Sequence, residues 1–329
     1  LTDPAELRVW LQDTARDHFG RPAQIDGPYP LLGGASRELW SFDALVEAER
    51  HELVLRRDAV GDGDAWFAAE WEAMAAASRH GVPVPGVLWG DAAGGLVMQR
   101  VRGEARPGRI LREERYATAR GRLVDEVARA AAALHGVALG EVPAVAAAAP
   151  GGPAPAAPLA PAQAAVAGLE AELDRIGEPH PALELGLRWL RLHLPDPVAP
   201  ALVHGDFRLG NWIVDEAGLV AVLDWELCHA GDPAEDLGWM CIRSWRFGAD
   251  DRAAAGCGGR DELLEAYAAA GGRAISRDEL HFWEVYGNVR WGVITRIQAS
   301  VAGDLRSLER AAIGRRTAEP EWDLLAMVG

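Results

Sequence analysis

Lysine is missing altogether from the 329 residues, so arginine carries the positive side-chain charge apart from histidine. No glycine-rich stretch can therefore end in the Gly-Lys-Ser/Thr of a P-loop. Cysteine is scarce. Cys228, Cys241 and Cys257 share no paired spacing, which excludes a zinc site and fits a reducing compartment. No apolar run approaches the length of a membrane span and no secretory leader is visible, so a cytoplasmic chain without a membrane partner is expected. An excess of positive charge is also lacking: the formal net charge of −16 argues against nucleic acid as a partner. The chain starts at Leu1 rather than Met, and a native start upstream is expected.

What is present suffices for two lobes and a sizeable core. Asp3-Pro4 opens a helix that runs to about Phe19. Residues 31–42 read as strand, Gly-rich turn, strand, and 51–57 as another strand. A helix over 64–79 and a strand over 96–101 complete a β-rich unit. Beyond Gly103 the pattern turns helical, at 122–134, 163–176, 181–194, 261–270, 276–300 and 304–315. The Ala, Pro and Gly tract at 142–162 reads as a flexible loop.

The chemistry concentrates in HGDFRLGNWIVDEAGLVAVLDWE, from His204 to Glu226. Two apolar runs, 212–214 and 219–223, flank a short turn and predict a β-hairpin. Antiparallel pairing about Ala217-Gly218 sets Asn211 opposite Asp224 at the open end. An amide oxygen and a carboxylate on adjacent strands suit a Mg²⁺ that keeps waters and also binds phosphate. Asp206 lies in the preceding loop, free of the ladder. Taken singly, such residues are ordinary turn formers and caps; the three at this register point to a metal clamp with a third carboxylate beside it.

His-Gly-Asp, four residues, Asn, then a hairpin ending in Asp resembles the catalytic core of the aminoglycoside phosphotransferase and choline kinase group. That resemblance implies an α+β, bilobal protein-kinase-like fold, with an N-terminal nucleotide-binding lobe in 1–101 and a catalytic and substrate lobe in 102–329. It also implies ATP and Mg²⁺ as cofactors and a small-molecule hydroxyl as acceptor. Asp206 is then the residue that receives the hydroxyl proton, and Asn211 and Asp224 hold the metal. Glu226 is placed to reach a second metal, and His204 braces the loop. Gly34 and Ser36, in the turn at 33–36, would lie over the phosphates. Arg56, paired with Glu70, would stand where relatives commonly have lysine, and Gln99 and Val101 would form the hinge that holds adenine.

Arg56 and the stretch Gly231-Asp232-Pro233-Ala234-Glu235-Asp236-Leu237-Gly238-Trp239 look like the sub-branch of kinase-like domains found beside acyl-CoA dehydrogenases. Asp236 would anchor the catalytic loop. Arg290, Arg296, Arg306, Arg310, Arg315 and Arg316, with Arg243 and Arg246, would repel a polycation if several faced the cleft. An anionic or neutral, hydroxyacyl-CoA-like substrate is the expectation. An aminoglycoside 3′-type phosphotransferase and a nucleotide-binding module with little turnover are the rivals.

Overall fold

Alternation of apolar and polar residues builds the first lobe. Strands β1 (Ala23–Leu31), β2 (Arg37–Val46), β3 (Glu49–Asp58), β4 (Val87–Asp91) and β5 (Gly95–Gln99) form one antiparallel sheet in the order β1-β2-β3-β5-β4. Trp40, Phe42, Ala44, Leu53, Leu55 and Val97 turn to one face and are buried with Leu7, Leu11 and Ala15 of helix α1 (Pro4–Phe19). The apolar positions of α1 are four residues apart, which puts them on one helical face. Asp3 caps that helix by accepting from the N–H of Ala5 at 2.9 Å. Helix α2 (Gly63–Arg79) belongs to the same lobe and buries Ala69, Ala73, Met74, Ala76 and Ala77. The computed structural model describes residues 3–31, 37–58, 63–91, 95–147, 160–301 and 308–329.

The second lobe is helical around two short β-pairs. Its helices are α3 (Pro107–Arg112), α4 (Ala117–His135), α5 (Pro143–Ala147), α6 (Pro161–Ile176), α7 (Pro181–Leu192), α8 (Pro233–Cys241), α9 (Arg260–Ala269), α10 (Arg277–Val301), α11 (Leu308–Gly314) and α12 (Ala318–Val328). Strand β6 (Ala201–Val203) pairs with β9 (His229–Gly231), and β7 (Trp212–Val214) with β8 (Leu219–Val222). Helix α8 is buried along its whole length and packs on α10. The contact is close because residue 238 is glycine: a Cβ there would stand 2.4 Å from the Cβ of Trp283. The lobes are tied together at Val222, whose N–H donates to the carbonyl of Pro83 at 2.8 Å, while Glu104 at the start of the second lobe exchanges two backbone hydrogen bonds with Val214 at 2.9 and 3.0 Å.

Several expectations needed correction. Strand β4 and helix α12 were not foreseen, and β1 begins well before residue 31. The tract expected as a loop over 142–162 is helical at both described ends, in α5 and at the start of α6, and Val142 and Val145 are fully buried. Its middle, 148–159, lies outside the described residues. No helix among the described residues is long and apolar enough to cross a membrane.

Candidate active site

The loop after β6 is fixed before any catalytic group is considered. Its Gly205 has φ +79°, and a Cβ there would meet the carbonyl oxygen of Leu227 at 2.3 Å, so only glycine allows the turn. The N–H groups of His204 and Gly205 donate to Oδ2 and Oδ1 of Asp236 at 2.8 and 2.9 Å. Asp236 is fully buried in α8 and also meets His135 Nε2 at 3.1 Å. Burial pushes its carboxyl up, but hydrogen bonding and charge from His135 outweigh that and hold it below the usual carboxylate range. The anchoring role expected of Asp236 is thus its observed geometry.

His204 is fully buried, and its tautomer follows from its partners. The N–H of Asp206 donates to Nδ1 at 3.1 Å, so Nε2 carries the hydrogen and donates to the carbonyl of Leu223 at 2.9 Å. Burial holds this imidazole below its ordinary pKa, in its neutral form. The ring links the loop to the end of β8 and braces it.

Asp206 projects from this scaffold with both carboxylate oxygens engaged. Arg208 Nε donates to Oδ1 at 2.8 Å, and Trp239 Nε1 donates to the same oxygen at 2.6 Å. Asn211 Nδ2 donates to Oδ2 at 2.6 Å and to the backbone carbonyl of Asp206 at 3.0 Å. Asp206 and Asn211 are both buried, at 8% and 6% exposure. The contact between them was expected only as proximity. The contribution of Trp239 was not expected at all.

The hairpin departs from its predicted register by one residue. Trp212 faces Val222 and Ile213 faces Ala221, but Val214 faces Leu219 across a bulge. Continued outward, the ladder sets Asn211 against Leu223, whose N–H donates to the Asn211 carbonyl at 2.7 Å. Asp224 therefore lies one residue beyond the expected pair. It leaves the ladder with φ +65°, a left-handed conformation uncommon for a residue with a side chain. Although Asp224 is exposed to solvent, desolvation by the protein beside it, then repulsion from Glu226 and Asp206, pushes its pKa up to about 7.

On the facing lobe, Arg56 of β3 and Glu70 of α2 form a bidentate pair, with side chains 12% and 4% exposed. Sequence reasoning had joined these two residues, and the structure brings them together. In the segment expected as the hinge, the N–H of Gln99 is already given to the carbonyl of Gly86 at 2.8 Å, while Val101 follows in irregular chain. Gly34 and Ser36 lie outside the described residues.

Most of the described arginines of that set are paired with carboxylates or backbone carbonyls. Arg290 is buried against Glu235 at 3.2 Å and lies over the Trp239 ring. Arg243 meets Asp250 and Asp323, Arg296 meets Glu178, and Arg316 meets Glu319. Arg246 donates to the carbonyls of Cys241 and Asp250. Arg310 has an interaction of its own, and Arg306 lies outside the described residues. Arg208 bonds Asp206 directly and is stacked on Trp245 at 4.3 Å.

Comparison with known proteins agrees with this layout. A macrolide 2′-phosphotransferase from Brachybacterium faecium has the same fold, with a TM-score of 0.62, 20% identity and coverage of 94% of this chain and 97% of that one. A thermostable mutant of aminoglycoside phosphotransferase APH(4)-Ia, solved with AMP-PNP and hygromycin B, superposes with a TM-score of 0.63 at 18% identity, covering 97% of each chain. Acyl-CoA dehydrogenase family member 10 of Mus musculus is 50% identical over 64 residues, which is 19% of this chain and 6% of that protein. Family member 11 of Gallus gallus is 47% identical over 62 residues, or 18% of this chain and 8% of that protein. The chain thus matches only a small part of these long relatives. Residues 34–283 match the phosphotransferase enzyme family across most of the chain, and with its bilobal kinase-like fold the protein belongs to that family of small-molecule kinases.

Proposed function

We propose that the chain transfers the γ-phosphoryl group of ATP, with Mg²⁺, to a hydroxyl of an anionic or neutral small molecule of hydroxyacyl-CoA type. The observation that carries this reading is Asp206, held by Asn211, Arg208 and Trp239. A carboxylate so oriented suits reception of a hydroxyl proton as the oxygen attacks phosphorus. Residues 1–101 would form the nucleotide lobe and 102–329 the catalytic lobe, with adenine at Gln99–Val101 and the Gly34–Ser36 turn over the phosphates. Arg56, steadied by Glu70, offers a planar cationic fork to phosphate oxygens.

The donor set fits a hard divalent cation. Asn211 and Asp224 supply oxygen atoms, and Asp224 lies among like charges that a cation would relieve. Among the described residues no three His, Cys, Asp or Glu side chains form a ligating group, so phosphate and water would complete the coordination. When bound, the cation supplies neutralisation of phosphate charge. ATP as donor is supported by the AMP-PNP bound to the hygromycin-binding protein of the same fold. The acceptor class is supported by the segment shared with acyl-CoA dehydrogenase family members and by the Arg208 charge beside Asp206.

The test is a side-by-side turnover assay with hydroxyacyl-CoA thioesters and kanamycin-like aminoglycosides, read as phosphorylated product by mass. Phosphorylation of the thioesters is expected. Efficient phosphorylation of the aminoglycosides with none of the thioesters would sink the substrate assignment.

A further inference from the structure

Three tryptophans, Trp239, Trp245 and Trp291, form a separate buried cluster beside Asp206. Their ring centroids lie 4.8 Å apart for Trp245–Trp291 and 5.2 Å for Trp239–Trp245. Buried indole N–H groups ordinarily find an acceptor. Among the described residues the Nε1 groups of Trp245 and Trp291 have none, whereas that of Trp239 meets the Asp206 carboxylate. The one paired indole of the cluster is therefore singled out by its partner rather than by its packing.

The bookkeeping of Asp206 shows what this contact does. An ionised carboxylate offers about four lone-pair sites, two on each oxygen. Oδ1 receives both Arg208 Nε and Trp239 Nε1, so its sites are filled. Among the described residues Oδ2 receives Asn211 Nδ2 alone and keeps one site open. Donors on both oxygens also fix the rotation about Cβ–Cγ, which is otherwise broad for aspartate.

We infer that Trp239 is a positioning residue that, with Arg208, saturates Oδ1 of Asp206 and reserves the free lone pair of Oδ2 for the acceptor hydroxyl. The inference rests on the proposed role of Asp206. As the acceptor oxygen bonds to the γ-phosphorus, its proton passes to Oδ2 and the bond between phosphorus and the bridging oxygen of ADP breaks. The products are phosphorylated acceptor, ADP and a proton later released to water.

The experiment compares Trp239→Phe with Trp291→Phe, using whichever acceptor the wild-type protein phosphorylates, or its basal ATP hydrolysis. Both changes remove one buried indole and keep an aromatic ring, but only the first removes a hydrogen bond. Trp239→Phe is expected to lower kcat on the order of ten- to a hundredfold, as loss of a bond to a charged group does, with KM for ATP unchanged. Trp291→Phe is expected to leave kcat within about twofold, since no partner loses a bond. Equal effects of the two variants, or a loss confined to KM, would overturn the inference. If Trp239→Phe fails to fold, Arg208→Gln interrogates the same oxygen, and an unchanged kcat there would overturn it equally. Asp206→Asn separates the two levels. Full turnover in that variant rejects the role of Asp206 itself, whereas its loss together with an unaffected Trp239→Phe rejects only the positioning role.

Discussion

Removing Glu70 should destabilise the protein far more than an ordinary surface ion pair would suggest. Its carboxylate and the Arg56 guanidinium are 4% and 12% exposed and bond at two points. Glu70→Ala leaves a largely desolvated cation without its counter-charge, and breaking a buried pair from one side costs about 3–5 kcal/mol. The residual exposure of Arg56 places the effect at the lower end, about 3 kcal/mol. At about 2–4 °C per kcal/mol for a chain of this order, Tm should fall by roughly 6–12 °C. Replacing both partners by apolar residues, as in Arg56→Met with Glu70→Leu, removes the stranded charge and should recover most of that loss. It should not recover nucleotide binding, because the fork that would face phosphate is gone. Scanning calorimetry on wild type, single and double variants decides the matter. A Tm unchanged in Glu70→Ala, or a double variant as unstable as the single one, would refute the reasoning.

Strand alternation puts Arg56 and Arg57 on opposite faces, so Arg56→Ala should raise the Kd for ATP by about tenfold or more and Arg57→Ala far less, as measured by titration calorimetry. Asn211→Ala and Asp224→Ala should each weaken nucleotide binding in Mg²⁺ while changing it little in EDTA, a contrast the same titrations report. Glu104, whose carboxyl Arg106 holds down at about 2, should make the turn from Glu104 to Arg106 acid-sensitive. A folded pKa below the unfolded one gives stability that is present above pH 4.5 and lost as pH falls toward 2, so Glu104→Gln should flatten the decline of Tm across that window.

The parts that local chemistry controls were legible in the sequence. Asp3-Pro4 starts a helix wherever it stands and alternation defines β3, whereas the Arg56–Glu70 pair came from the family resemblance, which sets a strand cation against a helix glutamate. The hairpin was legible too, but its register was not. The turn closes with the Asp215 N–H bonded to the Gly218 carbonyl at 3.0 Å, so it centres on Glu216–Ala217 rather than Ala217–Gly218. The bulge between Ile213 and Val214 then shifts the pairing back by one, and counting from the turn residues reveals neither. Strand β4 was hidden because Gly86 and Gly90 interrupt an already short apolar run. Trp239 was missed because nothing in a sequence distinguishes an indole that meets a carboxylate 33 residues away from one that only fills the core. The same long-range closure pairs arginines of α10 with carboxylates far away in sequence. Arg290 finds Glu235 and Arg296 finds Glu178, partners separated by 55 and 118 positions.

The central claim is that Asp206 receives the proton of an acceptor hydroxyl as phosphate moves from ATP. Its most direct test is acceptor-stimulated ADP release by wild type and Asp206→Asn, with ATP affinity measured on the same samples. The account predicts a loss of roughly a hundred- to ten-thousandfold in turnover, the usual effect of removing a general base, with ATP affinity nearly unchanged. Full turnover in Asp206→Asn would contradict it.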